Sequence, residues 1–323
     1  MVIKLGQSYS FHQIGQRGNQ EDSRFPDSDT PDINQRFFLV CDGVGGSEKG
    51  EVASQTVCKA FGKVLAKFDF EKNDFTNKDF SHALDYAYNA LDEVANEINE
   101  GMATTMTFAA FHRKGCTLAH IGDSRIYQIR PSKGLLIYRS DDHSLVNSLV
   151  HANLITPEEA LTHPQRNVIT RFMGPVDGDQ PRCMATVMRS TDIASGDYFF
   201  LCSDGVLSEI LDDQLLELFC NTDLSDEEKI KKIAKASENS HDNNTAMLIH
   251  VEDVTLEDNE LSSEDDTEID EKENEEVAVD EAAEEHDTLQ SKSSHYHLED
   301  IESIPHKQEE KGFKSFLKNL FHK

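Results

Sequence analysis

Apolar positions along the chain follow two rhythms. Near-continuous apolar or alternating runs at residues 7–14, 36–41, 104–112, 116–121, 126–130, 135–138, 198–203 and 245–251 predict strands. Elsewhere apolar residues recur at steps of three and four: Val57, Phe61, Val64, Leu65 and Phe68 within 51–68, and Leu84, Tyr88, Leu91, Val94, Ala95 and Ile98 within 80–98. These predict two amphipathic helices. Thr156-Pro157-Glu158-Glu159 reads as a helix start, with a Thr cap, Pro at the first position and Glu at the third. Two further helices are expected near residues 208–220 and 225–236. The breaks between the central strands are short and polar, as in antiparallel hairpins. Two helices, a block of antiparallel strands and two more helices predict an α+β sandwich rather than alternating βαβ units.

The acids fall at the edges of this pattern. Asp42 closes the run Phe37–Cys41 and precedes Gly43, Gly45 and Gly46. Asp204 closes a second run and precedes Gly205. Asp123 lies in the tight turn Gly122-Asp123-Ser124, Asp242 directly precedes the last strand, and Glu21-Asp22 follow the first. Six carboxylates at the ends of apolar segments would be driven toward protonation unless positive charge is supplied. Divalent cations with all-oxygen ligands, Mg²⁺ or Mn²⁺, meet that need, whereas any single Asp at such a place can equally be a turn or helix cap. Arg17, four residues before Glu21, is either a surface arginine or a fork for a phosphoryl dianion. His120 alternates with core positions and reads as packing. His143, in Asp142-His143-Ser144, is open between a functional role and a turn cap. No Gly-x-Ser-x-Gly elbow or Walker-type loop is present, which leaves serine hydrolases and P-loop enzymes unsupported.

Composition divides the chain of 323 residues. Residues 1–252 hold 38 Asp and Glu against 24 Lys and Arg, and residues 253–323 hold 23 against 7. The body therefore carries a net −14 and the shorter tail −16, a field that argues against nucleic acid or an anionic membrane as a partner of the body. The six cysteines are scattered without metal spacing and read as small core residues in a reducing compartment. There is no signal-peptide pattern and no apolar run long enough to span a bilayer, so a cytoplasmic protein is expected. Residues 253–302, with 21 acids and two lysines, are expected to be a disordered acidic linker, either a spacer or a lure for a basic partner. In 303–323, Phe313, Phe316, Leu317, Leu320 and Phe321 fall on one helical face beside Lys314 and Lys318. Such a basic amphipathic helix can dock to a protein or to the body itself, or less favourably lie on a membrane.

Taken together, the ordered fragments are recognisable. Arg17-Gly18-Asn19-Gln20-Glu21-Asp22, Asp42-Gly43-Val44-Gly45-Gly46 with Gly50-Glu51, and Met102-Ala103-Thr104-Thr105 come first. Gly122-Asp123-Ser124-Arg125, Asp142-His143-Ser144, Asn167-Val168-Ile169-Thr170-Arg171, Ser203-Asp204-Gly205 and Asp242-Asn243-Asn244-Thr245 follow. In this order, over about residues 5–252, the chain resembles the metal-dependent PP2C (PPM) protein serine/threonine phosphatases in their bacterial form. The resemblance implies two stacked antiparallel sheets flanked by helices, an α/β/β/α sandwich, with two and at most three Mn²⁺ or Mg²⁺ ions at one end. It implies that Asp42, Asp204 and Asp242, with the Gly43 carbonyl, hold the paired cations, and that Glu21 holds a metal-bound water. Asp22 would support that shell, Asp123 would help hold a third, weaker cation beside Asp204, and Arg17 would bind the substrate phosphate. Paired cations about 4 Å apart activate a bridging water for in-line attack on phosphorus. The expected enzyme is a monomer that dephosphorylates phosphoproteins and opposes a Ser/Thr kinase. A pseudo-phosphatase adaptor and a small-molecule phosphoesterase are the alternatives. Val44 stands where many eukaryotic members carry histidine, so this loop would not supply the proton for the leaving group. Ser47 replaces a histidine common in bacterial relatives, and Ala103 a frequent glycine. The segment 145–174 corresponds to the flap that shapes substrate access.

Overall fold

The computed structural model describes residues 1–44, 49–98, 101–176 and 181–256. The Gly45–Gly46 part of the proposed metal loop, Ser47, the linker beyond residue 256 and the amphipathic segment 303–323 lie outside the described residues. The strands are β1 (Val2–Leu5), β2 (Tyr9–Gln13), β3 (Ser23–Phe25), β4 (Phe37–Cys41), β5 (Met106–His112), β6 (Gly115–Ile121), β7 (Arg125–Arg130), β8 (Leu135–Arg139), β9 (Thr186–Ser190), β10 (Tyr198–Cys202) and β11 (Asn244–Thr255). The helices are α1 (Gly50–Leu65), α2 (Asn77–Ile98), α3 (Leu145–His151), α4 (Pro157–Thr162), α5 (Asp204–Leu207), α6 (Asp212–Cys220) and α7 (Asp226–Ser237).

Every strand pairing is antiparallel. One sheet runs β1-β11-β10-β7-β8, with β2 also on β11, and the other runs β3-β4-β5-β6-β9. The continuous apolar character of β4 and β10 has a direct cause, because both faces of each strand are covered. Phe38, Val40, Ala109, Phe111 and Leu118 meet Ile126, Phe199, Leu201, Met247 and Ile249 between the sheets. The alternate residues Leu39, Phe108 and Ala110 pack outward on Phe61 of α1 and on Phe80 and Leu91 of α2. On the other outer face, Tyr127, Phe200 and Leu248 pack on Leu215 and Phe219 of α6 and Ile233 of α7. The layers are therefore helix, sheet, sheet, helix. Each fully buried Phe or Leu in them contributes roughly 1.5–3 kcal/mol of transfer free energy.

Three short strands escape the hydrophobic pattern: β1, β3 in the stretch read as polar loop, and β9. Each pairs along an edge, where few side chains need be apolar. The last strand runs to Thr255, past the expected end at Val251 and into residues that composition assigns to the linker, because its far half pairs with β1 (Val2 opposite Thr255). The helix expected near 208–220 is α6, which starts later, at Asp212, and the short helix α5 precedes it as a separate element. The predicted start of α4 is present as a full capping box between Thr156 and Glu159, and Ser225 with Glu228 caps α7 in the same way. All six cysteines are free, with Cys183 and Cys220 only partly buried and the other four in the core.

Register brings the acids to one end. Ser23 lies opposite Cys41, Met106 opposite Ile121, Cys202 opposite both Arg125 and Ala246, and Asn244 opposite Gln13. The chain leaves the sheets just beyond those residues, at Glu21-Asp22, Asp42, Asp123, Asp204 and Asp242.

Candidate active site

Asp42 follows β4 in extended backbone and is tied to the neighbouring strand at three points. Its amide donates to Thr105 Oγ1 at 3.0 Å, and its carbonyl accepts from the Thr104 hydroxyl at 2.9 Å and the Thr105 amide at 2.8 Å. Gly43 bridges to Thr104, which bridges in turn to Met173. The start of α1 passes directly over Gly43: a Cβ there would stand 2.5 Å from the Gly50 carbonyl carbon and 2.7 Å from the Glu21 carbonyl oxygen. Glycine is required at 43 by this close approach.

Glu21 and Asp22 precede β3. The Glu21 carbonyl accepts from the Gly43 amide at 3.1 Å and the Ser54 hydroxyl at 2.6 Å. Its amide donates to Asn243 Oδ1 at 2.8 Å. Asn243 also donates to the carbonyls of Ile14 and Asn19, both at 2.9 Å, so one amide side chain joins the first loop to the start of β11. Asp22 is buried and accepts from the Ser203 hydroxyl at 2.8 Å. Asp204 opens α5 after β10, and Gly205 beside it is pressed onto Asn243. Asp123 sits in the β6–β7 turn, where Ser124 Oγ is 2.7 Å from Thr105 Oγ1.

These carboxyl groups face one another. Asp42 feels Asp22, Asp204, Asp123 and Asp242. Burial, reinforced by this mutual repulsion, pushes Asp42 well above the usual carboxylate range and raises Asp204. Burial likewise pushes Asp22 to about 7 and Asp123 to about 8, and it raises Glu21. Asp22 Oδ1 and Asp204 Oδ1 are buried without a hydrogen-bond donor. One cation brought to the cluster is Arg17, whose Nη2 donates to Asp242 Oδ2 at 2.7 Å, with both side chains partly exposed. That ion pair raises the guanidinium further.

An acidic hollow with unpaired, desolvated carboxylate oxygens fits a divalent cation. Among the described residues no three His, Cys, Asp or Glu side chains stand as a ready-made ligand cage. That is compatible with Mg²⁺ and Mn²⁺ chemistry, in which one or two carboxylates, carbonyls and water share the coordination sphere. The candidate residues Arg17, Glu21, Asp22, Asp42, Gly43, Asp123, Asp204 and Asp242 thus all come to the same end of the sandwich. Sequence reasoning gave no role to Ser203, Asn243, Thr104 or Thr105, which hold the acids in place. Ser203 and Asn243 stand beside an acid in their fragments, whereas Thr104 and Thr105 belong to a fragment with no acid and carried no such signal. His120 is packed as expected, stacked on His143 with ring centroids 4.4 Å apart.

The same arrangement of strands and helices recurs in solved metal-dependent Ser/Thr phosphatases. Stp1 from Staphylococcus aureus aligns with a TM-score of 0.66 and 28% identity, over 78% of this chain and 98% of that one. The catalytic domain of PstP, in complex with two manganese ions, aligns with a TM-score of 0.62 and 28% identity, over 77% and 99%. The fold and the acidic end define a PPM-type phosphatase. At the level of sequence, a model described as protein phosphatase 2C matches residues 19–250. A putative 2C-type phosphatase of Streptococcus pyogenes is 32% identical over 68% of this chain and 88% of its own length. The phosphatase PhpP of Streptococcus pneumoniae is 30% identical over the same shares. The chain belongs to the protein phosphatase 2C family, whose members are metal-dependent Ser/Thr phosphatases.

Proposed function

We propose that this protein hydrolyses phosphoserine and phosphothreonine in phosphoproteins, and that the carboxylate cluster is its catalytic centre. The observation that carries the reading is the pair of buried, donor-less oxygens on Asp22 and Asp204 among six facing acids. Asp42, Asp204, Asp242 and the Gly43 carbonyl would hold two Mn²⁺ or Mg²⁺ ions, with Glu21 and Asp22 supporting them and Asp123 beside Asp204 for a third. Bound there, the cations would activate water for in-line attack and offset the charge of the phosphoryl group.

The protein's own residues supply the remainder. Arg17 is held by Asp242 in this structure; a cation on Asp242 would compete with that pair, and the freed fork would be placed to grip phosphoryl oxygens. The Thr104–Thr105 and Ser203 hydroxyls fix Asp42 and Asp22, so that the site needs little rearrangement during reaction. Val44 donates its amide to the Ala103 carbonyl at 3.0 Å and carries no proton to give, so the leaving alkoxide is protonated by another group. We further propose a cytoplasmic monomer that opposes a Ser/Thr kinase. Its phosphatase domain would run to the end of β11 at Thr255 rather than stopping at 252, with the acidic linker following to 302, and segment 303–323 would dock a protein partner. A phosphothreonine peptide incubated with Mn²⁺ is expected to release phosphate, and chelation is expected to stop it. Turnover indifferent to chelator would overturn the reading.

A further inference from the structure

The turn that carries Asp123 is held from two sides. The hydroxyl contact from Ser124 to Thr105 holds one side of it. On the other side His143 holds it twice. The His143 amide donates to the Gly122 carbonyl at 2.9 Å, and the Gly122 amide donates back to His143 Nδ1 at 3.1 Å. Because Nδ1 accepts, the ring proton sits on Nε2, which donates to Thr186 Oγ1 on the edge strand β9 at 2.9 Å. The ring is also stacked on buried His120. Arg125 reinforces the junction with a two-pronged pair to Asp142, at 2.6 and 2.7 Å.

The same residue closes the base of an excursion of the chain. The His143 carbonyl accepts from the Thr170 amide at 2.7 Å, and the Leu145 amide donates to the Val168 carbonyl at 2.8 Å. Between these rungs the chain leaves the sandwich as α3 and α4, with Leu154 and Leu161 exposed at 68% and 76%. A load on the excursion therefore reaches Gly122 and Asp123 through His143. The return limb of the excursion, at Met173, pairs with Thr104 and so reaches Asp42 by a separate route that does not pass through His143.

We propose that His143 is a positioning residue that couples the α3–α4 excursion to Asp123. A phosphoprotein chain bearing on the excursion then changes how firmly Asp123 holds its cation. This rests on the reading of Asp123 as a cation ligand given above. It also explains why a histidine, rather than a hydroxyl cap, closes the turn. Its backbone serves the excursion while its ring serves the metal-side turn, and no shorter side chain reaches both Gly122 and Thr186.

The test compares two substrates and one non-kinetic readout. In wild type the Mn²⁺ concentration for half-maximal activity should be lower with a phosphothreonine peptide than with p-nitrophenyl phosphate, which is too small to load the excursion, by about fivefold, a typical coupling between sites. A non-hydrolysable phosphonate peptide should slow hydrogen exchange at the amides of residues 122–125. In His143→Ala, which keeps the backbone bonds to Gly122 and Thr170 but loses the ring's bonds to the Gly122 amide and to Thr186, both effects should shrink while each substrate is still turned over. His143→Asn, whose Oδ1 can stand where Nδ1 stands but does not reach Thr186, should restore them in part and guards against a folding defect in the alanine variant. Equal Mn²⁺ requirements for the two substrates in wild type would overturn the coupling, as would a ratio and an exchange pattern unchanged in His143→Ala. Loss of all cation-dependent turnover in wild type would instead overturn the phosphatase reading, and the exchange experiment would still report on the coupling.

Discussion

At the residue scale, the site is a balance between carboxylates that repel one another and two guanidinium groups, Arg17 on Asp242 and Arg125 beside Asp123. Asp204→Asn removes one charge from the cluster together with one proposed ligand. Hydrolysis of a phosphothreonine peptide is expected to fall at least about a hundredfold, the equivalent of roughly 2.7 kcal/mol of transition-state stabilisation. The same variant, melted in chelator at neutral pH, should be more stable than wild type, because a buried charge is gone without a cation having been lost. Arg17→Ala is expected to act on substrate rather than metal. A charge-assisted hydrogen bond contributes roughly 1.5–3 kcal/mol, so KM for the peptide should rise about tenfold or more, while the Mn²⁺ requirement should not rise, because loss of the ion pair leaves Asp242 free for the cation. A shift confined to kcat would contradict the role given to Arg17.

At the element scale, strand ends aim the acids and close backbone contacts fix the ends. A Cβ on Gly205 would lie 2.0 Å from the Asn243 carbonyl oxygen. Gly205→Ala must therefore push α5 off the start of β11, at a cost of about 1–3 kcal/mol. Denaturant unfolding should show that loss, and Mn²⁺ affinity should weaken with it, since Asp204 and Asp242 flank the displaced segment. The elements legible in the sequence were those with a strong pattern. Central strands β4, β5, β6 and β10, buried on both faces, and the amphipathic stripes of α1 and α2 declared themselves through hydrophobicity. Strands β1, β3 and β9 did not, because an edge strand owes its place to pairing rather than to its own side chains. The acids were legible by position, as charges that interrupt apolar runs. The hydroxyls of Thr105 and Ser203, the Asn243 amide and the dual role of His143 were not, because their meaning lies in contacts between residues tens to hundreds of positions apart.

At the scale of the whole molecule, the acidic end makes stability depend on cation and pH together. Burial raises the carboxyls of Asp22 and Asp123 to about 7 and about 8 in the folded, cation-free protein, against about 4 when unfolded. The folded state then binds more protons than the unfolded one, so stability falls as pH rises between those values. The chelated protein should melt at progressively lower temperature from pH 5 to pH 8. Added Mn²⁺ should restore more stability at pH 8 than at pH 5, because protons compete with the cation for the same oxygens. A flat melting temperature across that window, with no cation effect, would mean that the cluster is not desolvated as the fold indicates. Among the described residues no helix is long and apolar enough to cross a membrane, and the sandwich itself accounts for the buried apolar surface.

The most direct test of the central claim is a titration of Mn²⁺ into cation-free protein at pH 7.5, with binding heat and phosphate release from a phosphothreonine peptide followed on the same preparation. Wild type is predicted to bind at least two ions per chain, with turnover rising as they load, and Asp42→Asn is predicted to lose both together. Turnover in the absence of bound cation, or full cation binding by Asp42→Asn with normal activity, would contradict the account.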